Sequence, residues 1–189
     1  MQPYLGAWIV VLSLGTGSVR AIPPGGVSPP AVLRAGNVSE RALEEGVIAK
    51  LHETNGMEIA MGELAVKRAS NPRVRDFSDL LIRDHELADR LLRALARDRG
   101  LSIPGPTSAA KPQELATMSR LRNLGGPAFD QAFLETMIVG HEEALGTLSG
   151  AWNTVAQPGL RKLVRRLIPI FEQHLELARS LAAARGPTS

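Results

Sequence analysis

Apolar residues return every three or four positions along four long stretches of the chain, the spacing that lines one face of an α-helix. Leu81, Ile82, Ala88 and Leu92 form one stripe, Met137, Ile138, Ala144 and Leu145 a second, and Ile170, Phe171, Leu177 and Ala178 a third. Leu51, Met61 and Ala65 mark a fourth, nearer the N-terminus. Start and stop signals bound these stripes. Ser39 can cap a first helix that reaches Ala69, although Gly46 and Asn55-Gly56 weaken it. In Ser70-Asn71-Pro72 the asparagine is a good N-cap, and proline at the first helical position loses no hydrogen bond. A second helix therefore starts there and runs to Arg99, where Gly100 stops it. Residues 101–111 read as a loop and Pro112 to Leu124 as a short helix. Gly125-Gly126-Pro127 opens a third long helix, to Thr154, and Gln157-Pro158 a fourth, to Ala184. Pro169 inside the last one lacks an N–H and crowds the preceding turn, which predicts a kink.

The turns between the first two long helices and between the last two are short, so each pair is antiparallel; the middle connection is longer. The simplest arrangement is an all-α, up-down-up-down four-helix bundle over residues 39–185, with a short extra helix on the middle connection.

Three of the four histidines sit at the centre of a stripe: His85, His141 and His174. All three should point inward. Counted from the short turns at 1.5 Å per residue, His85 stands roughly 22 Å along its helix and His141 and His174 both roughly 25 Å. Glu58 falls on the apolar stripe of the first helix at roughly 18 to 22 Å, close to Asn55. One layer in the middle of the bundle is thus predicted to hold His85, His141, His174 and Glu58.

Aromatic residues are scarce, whereas Ala, Leu, Arg and Glu are plentiful, which favours helix because these side chains lose little rotamer freedom there. There is no cysteine, and so no disulfide, thiol nucleophile or lipoprotein acylation site. The net charge of +3 is mild, and no aromatics interleave with the basic residues, so nucleic acid is not expected as a partner. The opening residues carry an apolar run from Leu5 to Leu14 and then Val19-Arg20-Ala21, the pattern of a secretory signal cleaved after Ala21. The run is too short to span a bilayer, which takes roughly 20 apolar residues. Residues 22–38, rich in proline and glycine, read as a linker. The expected location is outside the cytoplasm, in the periplasm.

The segments "GMEIAMGELAVKRASNPRVRDFSDLLIRDHELADRLLRALA", "FDQAFLETMIVGHEEAL" and "LIPIFEQHLELA" carry a combination of SNP, a mid-helix DH, FD opening the third long helix and P…H in the last. In these the chain resembles, over residues 43–183, the secreted bacterial proteins called domain of unknown function family 4142, which are similar to ferritin-like bundles. The resemblance implies a ferritin-like fold, a secreted location and no established activity. Family members often carry a second acidic residue two after the first in the first helix, where Ala60 stands here, and Asp before the third-helix histidine, where Gly140 stands. Both changes thin out the acidic ligands.

Three histidines and a carboxylate delivered by four helices make a four-ligand set for a transition metal such as copper, zinc or iron. Met61 and Met137 near the same level could add soft donors for copper(I). The same residues also make a polar layer that hydrogen-bonds internally, fixes helix register and titrates together as pH falls. A di-iron ferritin centre needs Glu three residues before the histidines; Ile82, Ile138 and Phe171 stand there. The zincin spacing, P-loop, dinucleotide fingerprint and nucleophile elbow are missing too, so a conventional enzyme is not expected. The leading expectation is a small envelope binding or stress-associated protein whose central layer takes up a transition metal. A metal-oxidising or redox enzyme using the layer is the alternative. A third reading is an interaction module: Lys67, Arg68, Arg73 and Arg75 flank one short turn and Arg161, Lys162, Arg165 and Arg166 follow the other. Placed at one end of the bundle, they would associate weakly with an anionic envelope surface, or simply be solvated.

Overall fold

The computed structural model describes residues 30–103 and 112–184. Among them lie α1 (Pro30–Arg68), α2 (Pro72–Asp98), α3 (Pro112–Arg122), α4 (Gly126–Thr154) and α5 (Pro158–Ala183). Each has a proline in its first two positions, where the missing N–H costs no helical bond. The predicted starts of α2, α4 and α5 hold. Asn71 caps α2, its Oδ1 accepting from the Arg73 N–H at 3.0 Å, and the Gln157 side chain accepts from the Leu160 N–H at the start of α5. At the far end of α2, Gly100 adopts a φ of 60°. There the Leu101 N–H reaches the Ala96 carbonyl at 2.8 Å and the Gly100 N–H the Arg97 carbonyl at 3.0 Å, a Schellman closure with Leu101 and Ala96 in one apolar cluster.

Two features of α1 differ from expectation. α1 begins at Pro30, so Ser39 lies within the helix; of the expected linker, residues 22–29 fall outside the described residues and 30–38 are helical. Pro30 sets a helical φ, and the Ala, Leu and Arg that follow propagate it. Gly46 and Asn55-Gly56 do not interrupt α1, because an apolar face packed from Ile48 to Ala65 outweighs a penalty of about 1 kcal/mol per glycine. α5 continues as one element through Pro169.

The up-down-up-down order is corrected by the structure. One apolar cluster joins Ile48 and Leu51 of α1, Leu92 and Ala96 of α2, Leu148 and Ala151 of α4, and Leu160 of α5. The other joins Ala65 and Ala69 of α1, Val74 and Phe77 of α2, Phe129 and Phe133 of α4, and Ala178 of α5. The α1–α2 turn therefore shares its end of the bundle with the start of α4, and the α4–α5 turn lies at the opposite end. Asp130, fully buried in the second turn of α4, fixes this: it accepts from the Ser70 N–H at 2.9 Å, the Ser70 hydroxyl at 2.6 Å and the Asn71 N–H at 3.0 Å. The helices run up, down, down, up, with α2 and α4 parallel, so a crossover separates the end of α2 from the start of α4 at opposite ends of the bundle. α3 rides on that crossover and buries Leu121 in the cluster beside the α1–α2 turn. Short turns dictate only that each hairpin is antiparallel; how the two hairpins are placed depends on the long connection, and one crossover is the ferritin-like arrangement.

The expected single basic end is thereby split. Lys67, Arg68, Arg73 and Arg75 lie at one end and Arg161, Lys162, Arg165 and Arg166 at the other. Among the described residues no helix is long and apolar enough to cross a membrane.

Candidate metal centre

His85, His141 and His174 stand near the middles of α2, α4 and α5, between the two apolar clusters, with relative exposures of 0%, 1% and 0%. One ring nitrogen from each lies within 4.8 Å of the other two. The expected layer of imidazoles is thus brought together by three helices.

Each ring is oriented by an acceptor on its outer side. His141 Nδ1 lies 2.9 Å from the Met137 carbonyl, which can only accept, so the proton is on Nδ1 and Nε2 is bare. His174 Nε2 lies 2.9 Å from the Asp84 carboxylate; it donates there, and Nδ1 is bare. His85 Nδ1 donates to Asn55 Oδ1 at 3.0 Å, which leaves Nε2 bare, buried and without a hydrogen-bond partner. The bare His141 Nε2 and His174 Nδ1 face each other at 3.2 Å. Two lone pairs held so close repel unless something positive lies between them, and a tetrahedral centre with bonds of about 2.0 Å to nitrogen would space its donors about 3.3 Å apart.

Protons are poorly suited to that place. Burial, reinforced by the charge the other two histidines would carry, holds His85 well below the ordinary histidine range. Burial and then His174 take His141 down to about 4. His174 is also lowered by burial, with Asp84 opposing the shift. All three rings are neutral at neutral pH, the state in which imidazole binds metals.

Glu58 lies beside the layer, with Oε1 3.8 Å from His141 Nδ1 and Oε2 buried without a hydrogen-bond partner. Burial pushes its carboxyl up to about 8, so at neutral pH it is protonated, and with His141 neutral the contact is not an ion pair. Gly140 gives it room: a Cβ there would lie 3.0 Å from Glu58 Oε1. Asn55 Nδ2 is likewise buried and unpartnered. Phe171, its ring centroid 5.0 Å from that of His85 and 5.6 Å from that of His141, forms one wall; Phe77, 6.4 Å from His174, stands on another side. Met61 and Met137 are buried in the adjoining cluster. His52, the remaining histidine, is apart from the layer and binds Asp89 at 2.6 Å.

Sequence reasoning missed Asp84. It precedes His85 but sits about 100° round the helix from it, and so meets His174 of α5 instead of its neighbour. The DH pair itself was the available signal.

Fold and site together define a ferritin-like four-helix bundle with a buried layer of three imidazoles. The chain belongs to the family described as Domain of unknown function (DUF4142), whose model matches residues 29–181. Among solved structures it is similar to CopM in the Cu(I)-bound form, at 19% identity over 76% of this chain and 98% of that one with a TM-score of 0.65; CopM has also been solved with Cu(II) and with silver. It is similar too to a DUF305 fragment from Deinococcus radiodurans, at 15% identity over 75% and 96% with a TM-score of 0.67. A third is a DUF305 protein of Streptomyces coelicolor, named as a candidate secreted protein, at 15% identity over 78% and 96% with a TM-score of 0.67. At these identities the likeness shows the fold. No curated protein matches the chain.

Proposed function

We propose that the protein is a secreted binder of a soft, monovalent transition-metal ion, copper(I) in the first place, held by His85 Nε2, His141 Nε2 and His174 Nδ1. The observation that carries this reading is the facing pair of bare nitrogens at 3.2 Å, with a His85 ring nitrogen within 4.8 Å of nitrogens of the other two and its Nε2 buried and unpartnered. Outer hydrogen bonds from ligand imidazoles to a carbonyl, a carboxylate and an amide are the arrangement that orients metal-binding histidines. Charge selects the ion. The three donors are neutral and Glu58 keeps its proton, so the nearest negative charge is Asp84, whose side chain is 28% exposed. The cost of burying an ion rises with the square of its charge, which favours a singly charged ion over a doubly charged one in such a cage. The likeness to CopM, solved with Cu(I) and with silver, supports the same reading, and the signal-like N-terminal pattern supports secretion.

The test is titration of the metal-free protein with copper(I) under anaerobic conditions against a chromophoric chelator, with zinc(II) in a parallel arm. One equivalent of copper(I) is expected to bind, more tightly than zinc(II), and His85→Ala/His141→Ala is expected to abolish it while circular dichroism shows the helices intact. A wild-type protein that takes up no stoichiometric metal would leave the layer as a hydrogen-bonded register device and end the proposal.

A further inference from the structure

The two basic clusters differ in what their charges do. At the α1–α2 end, Arg75 donates to the Ala69 carbonyl at 2.6 Å and Arg68 to the Leu124 carbonyl at 3.1 Å, and Asp76 and Asp79 stand in the same turns of α2. Those arginines close helix ends. At the α4–α5 end there is no acidic residue from Ala144 through Phe171, while Arg161, Lys162, Arg165 and Arg166 fall within that span. A pocket of about 470 Å³ opens here, lined by Trp152, Ala156, Pro158, Arg161, Lys162 and Arg165. Arg161 is fixed in its wall: the guanidinium lies 4.2 Å from the Trp152 ring centroid and donates to the Trp152 and Val155 carbonyls at 3.0 and 3.2 Å. Lys162 and Arg165, one helical turn apart and both exposed, make no ion pair among the described residues.

We propose that this pocket binds a phosphoryl group. A pre-set arginine and two cations that make no ion pair among the described residues line this one pocket. A phosphoryl group, with a charge of about −1.5 to −2 as a monoester, matches the two free cations, and its oxygens suit both the arginine fork and the lysine point charge. The same chemistry comes from a soluble phosphate compound or from the headgroup of an anionic lipid, and the source is an outcome of the test. The site is about half a bundle length from the imidazole layer and does not depend on metal.

Calorimetric titration of the full chain with pyrophosphate at constant ionic strength is the first arm. Co-sedimentation with phosphatidylcholine vesicles, with and without phosphatidylglycerol, is the second. Saturable binding of pyrophosphate points to a soluble ligand; binding confined to phosphatidylglycerol vesicles points to a headgroup. Either is expected to weaken about tenfold or more in Lys162→Gln/Arg165→Gln, two charge-assisted contacts being lost, and to persist in Lys67→Gln/Arg73→Gln at the opposite end. Absence of binding in both arms overturns the proposal. So does equal loss in the two variants, which would reduce the effect to net charge, and so does binding of citrate as tight as that of pyrophosphate in the calorimetric arm.

Discussion

Glu58 gives the buried layer a pH signature of its own. Its carboxyl ordinarily titrates near 4.5 and is pushed up to about 8 by burial, so between these values the folded protein keeps a proton that the unfolded chain has released. Stability therefore falls as pH rises through that window. At about 1.4 kcal/mol per pH unit the whole window is worth roughly 5 kcal/mol, undiminished by solvent because the side chain is buried. The three histidines act in the opposite sense below their ordinary value of 6.5: the unfolded chain takes up protons that the buried rings resist, and stability falls as pH drops. The metal-free protein should then be most stable near pH 6.5, and of the Glu58 window roughly 2 kcal/mol remains to be lost between there and about pH 9. Glu58→Gln preserves the shape and removes the titrating proton. Urea unfolding followed by circular dichroism, with a chelator present, is expected to show the alkaline decline in the wild type and a nearly flat line in the variant. A variant that loses the same roughly 2 kcal/mol over that range would assign the decline to another group and refute the reasoning.

Two further outcomes follow from the polar contacts around the bundle. Asp84→Ala removes the acceptor that holds the His174 proton on Nε2; copper(I) affinity in the same chelator competition is expected to fall about 10- to 100-fold, as for lost outer-shell partners elsewhere, with helical content unchanged. Asp130→Ala leaves the Ser70 and Asn71 donors without their carboxylate, and a loss of about 2 to 4 kcal/mol in urea unfolding is expected, since the bonds run to a charged, buried acceptor.

The helices were legible because their boundaries are written locally: Asn71-Pro72, Gly100 and Gln157-Pro158 act within a few residues of themselves. The inward direction of the histidines was equally local, since a stripe of residues three and four apart fixes a face. What could not be read were the relations that only packing decides. Asp84 lies off the stripe of its own helix, and its partner is ninety positions away. Which tautomer each ring adopts, and hence which nitrogen is bare, depends on Met137, Asn55 and Asp84 meeting it from three directions. The carboxyl of Glu58 was expected among the ligands from its height and its place on the apolar stripe; the structure sets it on the Nδ1 side of His141, and its burial keeps it protonated.

The layer emerged at the expected height although the order of the helices did not, and the reason is geometric. A residue in the middle of a helix stays in the middle when that helix is reversed, so His141 and His174 meet His85 whichever way α4 and α5 run. Residues at the ends have no such protection: reversing the second hairpin carries Arg161, Lys162, Arg165 and Arg166 along its whole length, from beside Arg73 to the opposite face of the molecule. A function built at mid-height can therefore be read from a stripe and a count of residues, whereas a function built at an end needs the path of the crossover. In this chain that path turns one diffuse basic end into two unlike ones. At the α1–α2 end Arg68 and Arg75 donate to backbone carbonyls, and at the α4–α5 end Arg161, Lys162 and Arg165 line a pocket.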